Sequence, residues 1–401
     1  MTEQPSRIFL LALVAVTALG PLAMQIFLPA LPIIQQHFAV STAAAQLVLS
    51  LSMVSIAVST LAYGPLSDRF GRRPVLICGL LIFLAGSLLA AIADSIEVLI
   101  LGRIIQAAGG TAGMVLARAI VRDVYAHEKV ASVIAYLTVA MVIAPMLAPA
   151  LGGLLTEAIS WRAIFSFVGL AGLCVLALVI LRLAETNSRP ATHAGVTGML
   201  EGFALLLRSP AFCGYAFNGA FGLAAFFAFV SAAPYLMVDV LDRPVTEYGL
   251  YFIGISLAFM AGNFVSARIS ERVGINRMIL LGSGISVLAV AAGGVLALGG
   301  VWAPWALFGP TAVIVFGNGL TMANAQAGAL GVYPRSAGTA SGLSGFLQMA
   351  IAAVFAQTVG SVLNDSPVVM FGFMGFALAL AFGAFVLALR FSRDAAPVLP
   401  E

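Results

Sequence analysis

The stretch GPLSDRFGRRP, residues 64–74, packs four charges, Asp68, Arg69, Arg72 and Arg73, between two long apolar runs. A reduced copy, SERVGINR at residues 270–277, recurs about half a chain later, with Glu271 and Arg272 standing where Asp68 and Arg69 stand. One short charged hairpin in each half indicates a duplicated membrane protein whose halves move against each other. Gly64 and Gly71 are expected to allow close backbone approach and a tight turn, and Asp68 among the arginines to form an ionic latch that stabilises one state. The plainer reading, that the arginines only fix topology, competes closely for Arg72 and Arg73. It is weak for Asp68, because acids contribute little to orientation.

Hydrophobic residues make up 62% of the chain and charged ones 9%, against roughly 25% charged in a soluble domain. A helix crossing a hydrocarbon layer of about 30 Å needs about 20 apolar residues. Such runs place helices at 8–31, 43–66, 74–93, 97–118, 131–154 and 162–183, then at 210–237, 247–269, 277–298, 303–327, 336–363 and 367–391. The fold expected is therefore an all-α membrane protein of twelve transmembrane helices in two pseudo-symmetric six-helix bundles. The bundles are residues 1–183 and 210–401, joined by a linker, 184–209, whose amphipathic stretch 199–207 suits a membrane surface.

Basic residues are retained on the cytoplasmic side of a membrane. On this topology only Arg162 and Arg243 face outward; the others, among them Arg189, Arg335 and Arg393, fall on the opposite side, so both termini are expected in the cytoplasm. Trp161, Trp302 and Trp305 all map to the outer interface, which agrees independently. The run 8–31 reads as a retained first helix and not as a leader. The net charge of +3 is spread over short loops, which argues against nucleic-acid binding. Cys78, Cys174 and Cys213 sit inside apolar runs with no metal or disulfide spacing. No phosphate loop is present, so no nucleotide, metal or other cofactor is expected, and gradients would drive transport.

Four segments carry a family likeness: residues 64–74, LGRIIQAAGG at 101–110, ARAIVRD at 117–123 and APALGG at 148–153. Together they resemble the major facilitator superfamily, most closely the bicyclomycin and chloramphenicol resistance branch of drug/proton antiporters. The resemblance implies a monomeric carrier in the bacterial inner membrane that exports small organic solutes by alternating access. It implies that Arg103 lines a central cavity and takes part in solute binding or proton coupling, and that the charged loop residues, with Arg118 and Asp123, act as a gate. An arginine at the membrane centre costs about 2.5 to 3.5 kcal/mol, so a lipid-facing Arg103 is disfavoured. Gln106 shares its helix face. Pro145 and Pro149, followed by Gly152 and Gly153, predict a bend with a tight seam; in the family this pattern marks exporters. Asn218 and Asn318, in helices 7 and 10, and Tyr136 complete the set of polar candidates for solute contact.

One departure matters. In the resembling antiporters an acid precedes the LPALP stretch of helix 1; this chain has Gln25. None of its sixteen acids falls near the middle of an expected helix, and His37, His127 and His193 lie in loops or at helix ends. An arginine cannot carry the proton alone. Proton coupling is thus expected to use a rim acid such as Asp123 or Asp239, or to be absent, leaving a facilitator or importer of a neutral or anionic metabolite. An interior with Arg103 and no carboxylate would disfavour lipophilic cations. Two rivals come from other classes. A non-transporting receptor is disfavoured by the duplicated gate. An intramembrane serine protease, suggested by GLSG at 342–345, lacks a histidine base in the membrane core.

Overall fold

The structure, a computed structural model, describes residues 7–125, 127–187, 196–333, 337–364 and 366–392. His193, Arg189, Arg335 and Arg393 lie outside the described residues. Among those described, twelve helices are long and apolar enough to cross a membrane. In chain order the elements are α1 (Arg7–Gln25), a 3-10 turn (Leu28–Ala30), α2 (Leu31–Phe38), α3 (Thr42–Phe70), α4 (Arg72–Ala91), α5 (Ile96–Val124), α6 (His127–Ala158) and α7 (Trp161–Arg182). There follow α8 (Val196–Leu207), α9 (Pro210–Tyr235), a π-helical turn (Leu236–Val240), α10 (Val245–Val273), α11 (Ile275–Leu298), α12 (Pro304–Val332), α13 (Ala337–Val362) and α14 (Pro367–Ser392).

Two features differ from the expected helices. The first span does not run unbroken to residue 31: α1 stops at Gln25 and the chain resumes through the 3-10 turn into α2. Pro29 and Pro32 lack the N–H groups that would bond the carbonyls four residues back, so the ladder cannot continue there. The charged hairpin, by contrast, is almost wholly helical. Gly71 alone separates α3 from α4, at φ +96° and ψ 152°, a conformation essentially reserved for glycine.

The chain divides into two compact units, residues 1–193 with 242–253, and 194–241 with 254–401. In the first, α4 and α5 pack through glycines. A Cβ at Gly102 would stand 2.7 Å from the Ala90 nitrogen, and one at Gly109 would overlap the α4 backbone at Phe83. Removing the side chain lets backbones touch, which is how helices associate where no hydrophobic force separates protein from lipid. The second unit repeats the device, with Gly319 of α12 closing on Phe259 and Asn263 of α10. There α8 lies on α13 and α9, burying Leu206 against Phe212, Ala340 and Leu343 while Leu205 and Leu207 stay exposed.

Candidate functional site: the broken helix and the charged hairpin

The first unit contains two polar constellations. One surrounds the break in α1. The last helical backbone bond there runs from the Ile26 N–H to the Leu22 carbonyl at 3.0 Å. The Ala23 carbonyl, freed by the break, accepts instead from the Arg103 guanidinium at 3.0 Å. That same nitrogen also donates to the Gln106 side-chain oxygen. Gln106 donates in turn to Ser87 Oγ at 2.8 Å, and Ser87 donates to the Phe83 carbonyl at 2.7 Å. The guanidinium lies over the Phe27 ring, 4.0 Å from its centroid, with Phe165 at 5.9 Å, a geometry in which the ring face attracts the cation. Arg103 is 2% exposed and Gln106 1%. No carboxylate among the described residues pairs with Arg103, and its Nε is buried without a hydrogen bond. Gln25 is 7% exposed and its side-chain oxygen is likewise unpartnered.

The second constellation is the hairpin. Arg72 donates to Asp68 at 2.5 Å and to Asp123 of α5 at 3.0 Å, and also reaches Ser67. Asp123 additionally accepts from the Thr186 hydroxyl at 3.3 Å. Residues just beyond α7 then tie the turn down. The Glu185 carboxylate accepts from the backbone N–H groups of Arg72 at 2.9 Å and Arg73 at 3.1 Å, capping α4. It also accepts from the N–H groups of Thr186 and Asn187. Asn187 donates to the Asp68 carbonyl at 2.9 Å and the Ser67 carbonyl at 3.3 Å, at the end of α3. Desolvation pushes the Glu185 carboxyl up, but the N–H donors of Asn187, Arg72, Arg73 and Thr186 together hold it below its ordinary value. A Cβ on Gly71 would stand 2.6 Å from this carboxylate.

The remaining candidates take varied places. Arg73 donates to the Ile180 carbonyl at 3.0 Å; Arg69 is exposed, over the Phe70 ring; Arg118 is exposed beside the Met141 sulfur. Open space surrounds the position of a Gly64 side chain, so close packing is not what this glycine supplies. In α6 a methyl on Gly152 would overlap the Ile26 carbonyl at the α1 break, and one on Gly153 would come within 2.9 Å of the Thr246 Cα. Pro145 and Pro149 lie within the continuous helix α6. Glu157, one turn past Gly153, accepts from the Thr246 N–H at 2.9 Å. Tyr136 is 58% exposed. Asn218 and Asn318 belong to the second unit, where Asn218 bonds Ser283 and the Ala381 carbonyl and Asn318 bonds the Gly222 carbonyl. Glu271 and Arg272 are exposed, and neither has an ion-pair partner among the described residues.

Sequence reading missed Glu185, Asn187 and Phe27. For the first two a signal existed: an acid and an asparagine directly after a membrane helix are cap-forming residues. For Phe27 there was none, since one phenylalanine among many apolar residues does not declare which cation it faces.

Twelve spans in two units, with polar groups at a helix break and at a charged turn, are the frame of a polytopic membrane protein of the transporter class. The model of the Major Facilitator Superfamily matches residues 13–357, and the chain belongs to that family, a family of transporters and not of enzymes. It is 28% identical over 386 residues to the bicyclomycin resistance protein homolog of Haemophilus influenzae, covering 95% of this chain and 96% of that one. It is 31% identical over 414 residues to multidrug resistance protein D of Escherichia coli, covering 99% and 100%. Among solved structures, an inward-facing bacterial homolog of the lysosomal transporter Spinster shares the fold with a TM-score of 0.76 at 17% identity, over 97% of this chain and 98% of that one.

Proposed function

We propose that this chain is a secondary transporter of the bacterial inner membrane that exports small organic molecules by alternating access, with both termini in the cytoplasm and the Gly71 hairpin at the cytoplasmic rim. The observation that carries the reading is full-length kinship with relatives named for bicyclomycin and multidrug resistance. The hairpin network supports it: Arg72 shared between Asp68 and Asp123 is a charge cluster that can close or release in a moving gate. Gln25, buried with an unpaired amide oxygen beside the α1 break, is the proposed solute contact, and Gln106, Tyr136, Asn218 and Asn318 are proposed as further polar contacts, each within its own unit.

Coupling to protons is proposed to run through a rim acid. Asp123 accepts from both Arg72 and the Thr186 hydroxyl, and Asp239 sits in the π-helical turn that ends α9. Such turns are frequent at functional sites. The test is chloramphenicol flux in reconstituted vesicles with pH gradient and membrane potential imposed separately. A pH gradient should accelerate flux, and Asp123→Asn or Asp239→Asn should remove that acceleration. Flux indifferent to pH in the unmodified protein would instead mean a proton-independent facilitator.

A further inference from the structure

We infer that Glu157 is a proton-binding site at the outer end of α6: ionised, its carboxylate fastens the first turn of α10 to α6, and a proton taken up from the outer solution unfastens it. The outer placement rests on the topology proposed above.

Pro149, Ala150, Gly153 and Glu157 follow one another at helical spacing along one face of α6. Thr246 and Gly249 do the same on α10, in the part of that helix that belongs with α6 to the first unit. A Cβ on Gly153 would stand 2.9 Å from the Thr246 Cα, and one on Gly249 would overlap the backbone of Ala150. The helices therefore meet backbone to backbone at these positions, with no side chain interlocked between them. What fastens the outer end of this seam is polar. The Glu157 carboxylate accepts from the Thr246 N–H at 2.9 Å and from the Thr246 hydroxyl at 3.3 Å. Thr246 is the second residue of α10, so its N–H is one of those that a helix start leaves without an intrahelical partner, at the positive end of the dipole. Both features favour an anion there.

A proton removes that charge. Hydrogen bonds to an ionised acceptor are roughly twice as strong as neutral ones, and the attraction to the helix start needs the charge as well. The ionised carboxylate thus favours the fastened seam, so by linkage proton uptake favours the released one: the fastening is present at neutral pH and is lost as the solution is acidified. Glu157 is exposed, and water can deliver the proton directly. The other charged or titratable groups at this end are engaged elsewhere or precede the seam. Arg162 of α7 faces His37 of α2 at 3.4 Å and donates to the Ala93 carbonyl. Arg243 stands 4.0 Å from Glu247 of α10. Asp239 and Asp242 lie before α10, and Asp94 and Glu97 lie at the start of α5. Among the described residues no cation is within ion-pair distance of Glu157. In a carrier that exports against inward-moving protons, a proton arriving from outside would favour the release through which the solute leaves.

The test uses the full-length protein in detergent micelles, which have no sides, so that its result depends neither on topology nor on flux. Cys78, Cys174 and Cys213 are changed to serine, and spin labels are placed on Ile159→Cys, just past α6, and Leu250→Cys of α10, both exposed positions. Double electron–electron resonance is recorded at about pH 7.5 and at about pH 4.5, well above and close to the ordinary glutamate value. The expected result is a longer-distance population that grows several-fold at the acid pH. Glu157→Gln, a fixed mimic of the protonated form, should show the acid distribution at both pH values, and Glu247→Gln should leave the response intact. A parent distribution that pH does not move, an acid response that survives Glu157→Gln, or one that disappears in Glu247→Gln would overturn the proposal. Should the unmodified protein carry no flux in vesicles, the transporter reading fails while these distances still report on Glu157.

Discussion

The two hairpins share a backbone and differ in chemistry. Gly71 and Gly274 occupy nearly the same conformation, φ +96° and +88°. Each N–H bonds back to a matching serine carbonyl, Ser67 at 3.1 Å and Ser270 at 2.8 Å. Around Gly71, however, two acids share one arginine and a third caps the next helix. Around Gly274 no carboxylate among the described residues stands against the turn as Glu185 does at Gly71, and nothing would meet an added Cβ within 4 Å. The main polar contact nearby is Tyr215 donating to Asn276 at 2.6 Å, beside a cavity of about 400 Å³ that Arg277 also lines. Both hairpins keep the turn, which the glycine conformation specifies, while among the described residues the charge network surrounds the first of them only.

That contrast can be broken first at the glycines. Alanine at either position enters a region essentially closed to it, at about 1 to 3 kcal/mol. Gly71→Ala must in addition displace the Glu185 carboxylate, so its melting temperature in detergent should fall further than that of Gly274→Ala. Equal losses would show that the carboxylate adds nothing. Next in size is Arg72→Ala. It leaves Asp68 and Asp123 without their shared cation and should cost about 1 to 2 kcal/mol, between the values for exposed and buried pairs. Arg272→Ala, where no ion pair exists among the described residues, should stay within about 0.5 kcal/mol; urea or thermal unfolding of the two variants side by side decides this.

Smaller than the loss expected at Arg72 is the effect of Glu185. Because its folded value lies below the ordinary one, the cap contributes stability above the unfolded carboxyl pKa and loses it as pH falls through the folded value. Glu185→Gln keeps an acceptor but cannot titrate, and should flatten that part of the acid limb of a stability profile. Glu185→Ala should cost about 1 kcal/mol at neutral pH, as loss of a helix cap does. An acid limb unchanged in Glu185→Gln would remove the cap from the account.

The spans were legible in the sequence because lipid demands long apolar helices and permits little else. The hairpin was legible because charges between such helices are rare. Within it the arginines could not be ranked: that Arg72 bridges two acids while Arg69 stands exposed depends on where α5 ends relative to α3, which no local pattern records. Gln25 was noticed as a departure from a motif. The break beside it was written in Pro29 and Pro32, yet an apolar run through 8–31 reads as one helix when hydropathy alone is followed. Asn218 and Asn318 show the limit most clearly. An asparagine in a membrane helix signals a hydrogen bond, but only packing reveals that its partners are carbonyls and a serine of neighbouring helices in its own unit.

The central claim, that this chain moves a solute across the membrane, is met most directly by counterflow. Purified protein in sealed vesicles loaded with unlabelled chloramphenicol, with a trace of labelled compound outside, should show transient accumulation of label above equilibrium, reduced when Gln25 is replaced by leucine. Saturable binding of the label without any overshoot would contradict the account and leave a membrane receptor in place of a carrier.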